Sequence, residues 1–509
     1  MNQINQTAES KALALEAIQN FSGKYPKQLW ALFFSEMWER FCFYAMRGML
    51  AYFMTTELGL EAKLSNLQYG AIQAFVYAFT FLGGMLADKI LGFRKSLTWG
   101  GLLMITGSII LAIDPHKFFF VGITFNIIGT GFFKPNISSM VGQLYKHNDA
   151  RRDAGFLLFY SGINIGAMIG GYIIAIGKGA MFTSFIPEDL RWNFAFAASG
   201  LAMTISLITF LLTKKNLGPI GESPLLSKSN SSRRNFEFGT YILALAVVPL
   251  VMAMVSNTVY TDYFMYAIGP FSLIYFILEM TKNSLAENKK LIAAFLFILF
   301  SVVFWAIYEQ AGGSLSLFAS TNINDKLLGI TMDPNGVNNS INALFVILLA
   351  PIIGLLFIAM SKRNKEPSST VKFGIGFILL GIAFLTFFSI RFGASEDGKG
   401  SLNILALAYL IMSVGELFLS PIGLSLMTKL SPQRMQGFMM GMWFLASAYG
   451  QYVAGLFGAS ISPKESDSGM QKMTIYTSGY YDFAWYALIA GAILIALYPL
   501  IRRLMQGEK

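Results

Sequence analysis

Charge is scarce in this sequence. Only 13% of its 509 residues are Asp, Glu, Lys or Arg, while 55% are hydrophobic; an ordinary soluble domain is about 25% charged. Cysteine is nearly missing, and the single Cys42 excludes an internal disulfide. There are two histidines, His116 and His147, both in expected loops, so neither a metal centre nor a proton relay can be built on imidazole. No metal-ligand cluster, Gly-rich phosphate loop or nucleophile–base pair is present, which argues against an enzyme. No selectivity-filter-like repeat is present either, which argues against a channel. The first residues are polar and lack an apolar core followed by a small-residue cleavage site, so no removable signal peptide is expected.

Long apolar runs are abundant. Stretches of about 20 hydrophobic residues recur along the whole chain, which marks an all-α polytopic membrane protein. A β-barrel would alternate apolar and polar residues in short segments instead. Fourteen spans are expected. Six run at 28–57, 67–91, 95–114, 117–144, 152–178 and 192–213. After a polar linker, two more lie at 236–257 and 262–281. The last six lie at 289–312, 338–361, 371–391, 402–430, 434–460 and 480–501.

The net charge of +10 sits largely in alternate loops, for example Arg94 and Lys95, Arg151 and Arg152, and Lys362 and Arg363. This is the positive-inside pattern, with both termini in the cytoplasm. The layout divides the chain into a cytoplasmic N-terminal segment (1–27), a six-helix bundle (28–215), a linker with two extra transmembrane helices (216–287), a second six-helix bundle (288–503) and a cytoplasmic tail (504–509). Two related halves flanking a central pathway is a transporter layout.

Ionisable residues inside a membrane cost roughly 2.5–3.5 kcal/mol each on insertion scales, so each one requires a reason. At 100° per residue, Glu36, Glu39, Arg40, Phe43, Tyr44 and Arg47 share one face of the first span. Lys134 lies within the fourth span, Glu309 within the first helix of the second half, and Glu416 within the fourth helix of that half. A pseudo-two-fold relation between halves would let Arg40 or Arg47 meet Glu309, and Lys134 meet Glu416. Glu36, Glu39, Glu309 and Glu416 outnumber Arg40, Arg47 and Lys134 by one. A surplus carboxylate in a low-dielectric cavity favours its protonated form, so protons are the expected coupling ion and no other cofactor is called for.

Other residues are less specific. Gly83, Gly84 and Gly92 bracket Asp88 and Lys89, where a span closes and the next opens, and glycines there permit close helix approach. Tyr44, Tyr77, Trp305 and Trp443 share spans with polar or small residues and are the aromatics expected in a cavity. Asn164 and Asn342 are amides at or near membrane depth, suited equally to interhelical hydrogen bonds and to a ligand.

Together these motifs resemble the proton-dependent oligopeptide transporter family of the major facilitator superfamily, bacterial type. The family's first-helix pattern E-x-x-E-R-F-x-Y-Y-G matches at Glu36, Glu39, Arg40, Phe41 and Tyr44, with Phe43 in place of the first tyrosine and Ala45 in place of the glycine. The stretches 83–92, 156–166, 132–136 and 304–310 match further signatures in place. The resemblance implies a major facilitator fold of two six-helix bundles plus two extra helices. It implies a proton-coupled symporter that imports di- and tripeptides by alternating access, working as a monomer in the bacterial cytoplasmic membrane. The alternative is the same fold carrying another small solute, such as nitrate, a peptide-like drug or another organic anion. By the same resemblance, Arg40 and Lys134 would hold the peptide carboxylate. Asn164, Asn342 and Glu416 would hold its ammonium group, and Tyr44, Tyr77, Trp305, Trp443 and Ser447 would line side-chain pockets. Arg47–Glu309 and Lys134–Glu416 would be salt bridges between bundles, and Glu36, Glu39, Arg40 and Glu309 would handle the proton.

Overall fold

The computed structural model describes residues 2–506 except 147, 148, 150, 228 and 364; the loop position expected for His147 lies outside the described residues. In chain order the helices are α1 (Asn2–Gln19), α2 (Lys27–Thr56), α3 (Ala62–Leu86), α4 (Phe93–Ile113), α5 (Pro115–Gln143), α6 (Arg152–Gly171), the short α7 (Ile174–Gly177), α8 (Arg191–Thr213), α9 (Asn230–Ala246) and α10 (Val248–Ser256). They continue with α11 (Thr258–Met280), α12 (Leu285–Tyr308), α13 (Ser314–Asn322), α14 (Pro334–Lys362), α15 (Ser369–Ser389), α16 (Leu402–Leu430), α17 (Gln436–Ser460), α18 (Gly469–Ala496) and α19 (Tyr498–Leu504). A two-residue hairpin, Lys326–Leu327 with Ile330–Thr331, precedes α14.

Among the described residues, twelve helical stretches are long and apolar enough to cross a membrane. The other two expected spans form helices α2, of 30 residues, and α17, of 25. Both have the length, but α2 carries the Glu36–Arg47 charges and α17 is more polar. Local chemistry sets several starts. Asp114 caps α5 by accepting from the Lys117 N–H at 3.0 Å, with Pro115 next, so His116 falls in a first helical turn and not in a loop. Ser284 with Glu287, and Ser468 with Gln471, form reciprocal capping boxes for α12 and α18. The second box starts α18 at Gly469, well before the expected residue 480.

The chain divides into two compact units: Met1–Arg47 with Phe75–Ala253, and Gly48–Ala74 with Met254–Lys509. This division departs from the linear boundaries expected at 28–215, 216–287 and 288–503. The α2–α3 hairpin tip belongs with unit 2, where Asn66 donates to Ser462 Oγ at 3.0 Å and Gln68 donates to the Ser256 carbonyl at 3.0 Å. The extra hairpin is split as well. In unit 1, α9 is held to α4 by Lys95–Glu237 at 2.6 Å and by the Trp99 and Tyr241 rings at 4.8 Å. In unit 2, α11 is held to α17 by Tyr452 donating to Asp262 at 2.6 Å and by Tyr275 against Phe438, and to the turn just before α17 by Arg434 with Glu279.

Within unit 1, α5 packs along α4, and α4 along α8. Pro135 lacks the N–H that would bond the Gly131 carbonyl. Gly83 of α3 covers that carbonyl so closely that a Cβ would run into it. The linker after α8 is part of this unit: Arg94 donates to the carbonyls of Gly218 and Ile220, and Ser223 Oγ donates to the Ile90 carbonyl at 2.6 Å. Within unit 2, α12 packs on α17, and α15 packs on both α16 and α18.

Candidate functional site

The first cluster is built on one face of α2. Arg40 donates to both carboxylate oxygens of Glu39, one contact being 2.5 Å, and its Nε lies 3.1 Å from Glu36 Oε1 one turn earlier. All three side chains are almost wholly buried. The other oxygen of Glu36 is buried and accepts no hydrogen bond from a described residue. The α6 backbone closes over this cluster at Gly166, where a Cβ would meet the Met37 carbonyl and come within 3.0 Å of Arg40 Cβ. Shape and charge therefore agree: a side chain at 166 would displace the helix that carries the guanidinium.

Phe43 continues the face. Its ring centroid lies 5.0 Å from the Arg40 guanidinium carbon and 5.8 Å from Lys134 Nζ. Lys134, on α5, also lies 4.4 Å from the Tyr77 ring on α3, so two aromatic faces receive its ammonium group. One turn on, Arg47 lies over Tyr44 at 5.6 Å, and the Tyr44 ring meets Phe43 edge-on. Asn164 is buried on α6, and its amide donates to the Tyr160 carbonyl in its own helix at 2.9 Å. Unit 1 thus brings together Glu36, Glu39, Arg40, Tyr44, Arg47, Tyr77 and Lys134 around Phe43, a cation-rich region with an acid pair at its base.

The second cluster is in unit 2. Glu416 on α16 accepts from the Tyr308 hydroxyl at the end of α12 and from the Asn342 amide of α14 at 3.2 Å. Asn342 also donates to Ser413 Oγ at 2.9 Å, and Ser413 donates to the Tyr409 carbonyl. The Tyr409 hydroxyl in turn donates to Asn338 at 2.6 Å. The carboxylate is therefore oriented by three helices. Trp305 meets Tyr308 edge-on at 5.3 Å. Trp443 is buried on α17, and Ser447 Oγ donates to the Trp443 carbonyl at 3.3 Å.

Glu309 does not lie inside a regular helix, as the expected span 289–312 placed it. It is the end cap of α12 and opens a 3-10 turn, Glu309–Gly312, which leads into α13. The stretch Leu285–Asn322 is thus a broken span of 38 residues with a buried acid at the break. Breaks of this kind expose backbone groups at membrane depth and are frequent at transport sites. Of the expected salt-bridge pairs, Arg47 and Lys134 fall in unit 1, and Glu309 and Glu416 in unit 2.

Sequence reasoning passed over Tyr308, Ser413 and Phe43 as site residues. Tyr308 stands beside Glu309 and three residues after Trp305, and Ser413 stands three before Glu416, so helical spacing carried a signal for both. Phe43 lies on the polar face of the first span, where the family pattern has a tyrosine.

A family model described as the POT family matches residues 94–473. Lys134, Glu309 and Glu416 lie inside that stretch, and the α2 cluster precedes it. The chain is 35% identical to "Uncharacterized transporter YclF" of Bacillus subtilis (strain 168), over 95% of this chain and 96% of that one. It is 33% identical to "Peptide transporter YePEPT" of Yersinia enterocolitica subsp. palearctica serotype O:3 (strain YE-P4), again over 95% and 96%. A crystal structure of a POT family transporter in complex with a thioalcohol conjugated peptide superposes with a TM-score of 0.79 at 30% identity, covering 96% of this chain and 99% of that one.

Proposed function

The chain belongs to the POT family of transporters, and on that premise we propose that it is a proton-coupled symporter importing di- and tripeptides. The observation that carries this reading is the opposite sign of the two clusters. Arg40 and Lys134 offer cations, and Glu416, held by Tyr308 and Asn342, offers an oriented carboxylate. A peptide is a zwitterion whose termini are common to every sequence. Arg40 and Lys134 suit its carboxylate, and Glu416 with Asn342 suits its ammonium group. Asn164 is assigned to the ammonium group as well. Tyr44, Tyr77, Trp305, Trp443 and Ser447 provide walls that tolerate varied side chains.

The proton is carried by the acids of the α2 cluster together with Glu309. Two carboxylates share one guanidinium there, and one oxygen of Glu36 is buried with no donor among the described residues. Full negative charge at such an oxygen is costly, and a proton relieves it. The relatives named as peptide transporters, and the peptide-bound family structure, support the choice of cargo. The bacterial relatives support an inner-membrane location, and the lysine and arginine loops support both termini in the cytoplasm. We take the working unit to be one chain, alternating between inward and outward access.

The test is uptake of labelled dialanine into proteoliposomes. Wild-type uptake should require an inward proton gradient. Glu39→Gln should abolish gradient-driven uptake and retain counterflow. Gradient-driven accumulation that survives in this variant would remove the α2 acids from proton coupling.

A further inference from the structure

Unit 2 contains a cavity of about 1050 Å³ that holds none of the site residues described above. Its walls come from the end of α2, the start of α3, the end of α13 and the turn between α17 and α18. Small-molecule sites commonly measure about 300–1,000 Å³, so a di- or tripeptide fits with room for water.

The charges around it are not those that helix stability favours. Lys63 is the second residue of α3, and Lys472 is the fourth of α18. A helix N-terminus carries partial positive charge and is normally complemented by an acid. Neither first turn has one, and a lysine adds to the field instead. Neither ammonium group takes part in an ion pair among the described residues. Two helix starts that each carry a lysine therefore border one cavity, with Glu61 just ahead of α3, a combination that admits an anionic ligand group.

Tyr476 supplies an independent observation. It is only 2% exposed, it lines the same cavity, and its hydroxyl makes no hydrogen bond with a described residue. A phenol in that position retains an unused donor. Glu61 and Glu465 also line the cavity and supply the opposite sign.

We propose that this cavity is a second peptide site, which receives a peptide carboxylate on Lys63, Lys472 and the Tyr476 hydroxyl, and the ammonium group on Glu61 or Glu465. Its role is capture ahead of translocation, and in this it rests on the peptide-transport reading. The site favours peptides with an additional carboxylate, because Lys464 also lies in its wall and leaves three lysines against two glutamates.

The experiment compares Ala-Asp and Ala-Ala uptake by the full chain in proteoliposomes. The double variant Lys63→Gln/Lys472→Gln should raise the KM for Ala-Asp about three- to tenfold, raise that for Ala-Ala less, and flatten the salt dependence of Ala-Asp uptake. Tyr476→Phe should shift the Ala-Asp KM in the same direction. Lys117→Gln, which removes a lysine from unit 1, should change neither. An unchanged Ala-Asp KM in the double variant, or an equal shift with Lys117→Gln, overturns the proposal while leaving peptide transport standing. If the wild type transports no peptide, equilibrium dialysis of labelled Ala-Asp against the purified protein still decides the cavity. Binding that weakens in the double variant supports it, and equal binding overturns it. Displacement by inorganic phosphate as effective as by unlabelled Ala-Asp would make it a general anion site and overturn it too.

Discussion

Asn342 and Glu416 meet within unit 2 at 3.2 Å, with the amide donating and the carboxylate accepting. Because Tyr308 donates to the same oxygen, Glu416 is fixed before any ligand arrives. Preorganisation of this kind lowers the entropic cost of recognising a cation.

Tyr308→Phe removes one of these donors without changing shape. Hydrogen bonds to charged groups contribute about 1.5–3 kcal/mol, so the KM for dialanine counterflow should rise roughly tenfold at nearly constant maximal rate. A KM that stays level or falls would take Tyr308 out of the positioning role.

Arg40→Lys tests whether charge alone suffices in the α2 cluster. The guanidinium engages both Glu39 oxygens and reaches Glu36, a fork geometry that an ammonium group cannot reproduce. Uptake should fall by at least about tenfold, and the melting temperature of the purified protein should drop. Wild-type uptake by the lysine variant would mean that only the positive charge matters.

Gly83→Ala addresses packing, not chemistry. The added methyl group would collide with the Gly131 carbonyl. Overpacking of this sort costs about 1–3 kcal/mol, and thermal melting in detergent should show it as a clear downward shift. The substitution Gly354→Ala, where a Cβ meets nothing within 4 Å, is the control and should melt like the wild type.

Acid stability gives a separate measurement. Hydrogen bonds from the Arg151 side chain, and then from its backbone N–H, pull the Asp149 carboxyl down to about 2. Unfolded, it would titrate near about 3.9. The folded state therefore binds this proton less readily than the unfolded one. The contribution is present above about pH 4 and is lost as pH falls toward about 2. Asp149→Asn should flatten that limb of the melting-temperature profile, and an unaltered slope would show that the pair contributes nothing.

The sequence made the α2 cluster legible because Glu36, Arg40 and Arg47 obey a helical repeat and stand out against apolar neighbours. The second cluster was legible through Glu416, an acid in mid-span, and Asn342, an amide at or near membrane depth. What pattern could not supply was the partner of Glu416. Tyr308 lies 108 residues away, and only tertiary packing selects it among many tyrosines. The break at Glu309 was hidden for a related reason. The apolar run through 291–308 gives way to Glu309 and Gln310, but composition alone did not show that the helix breaks there into a 3-10 turn ending at Gly312. The unit boundaries were likewise illegible, since Gly48–Ala74 reads as ordinary span and loop until its contacts with Ser256 and Ser462 are seen.

The polar connector after α8 reads as a spacer, yet Gly218 and Ile220 satisfy Arg94, and Glu237 beyond it satisfies Lys95. Anyone dividing this gene for split-protein complementation should therefore not cut at Lys214, where composition invites it. A fragment ending there would lose the carbonyls that accept from one cation and the carboxylate that pairs with another. A seam at Asn257, between α10 and α11, leaves both cations with their ligands on the same polypeptide.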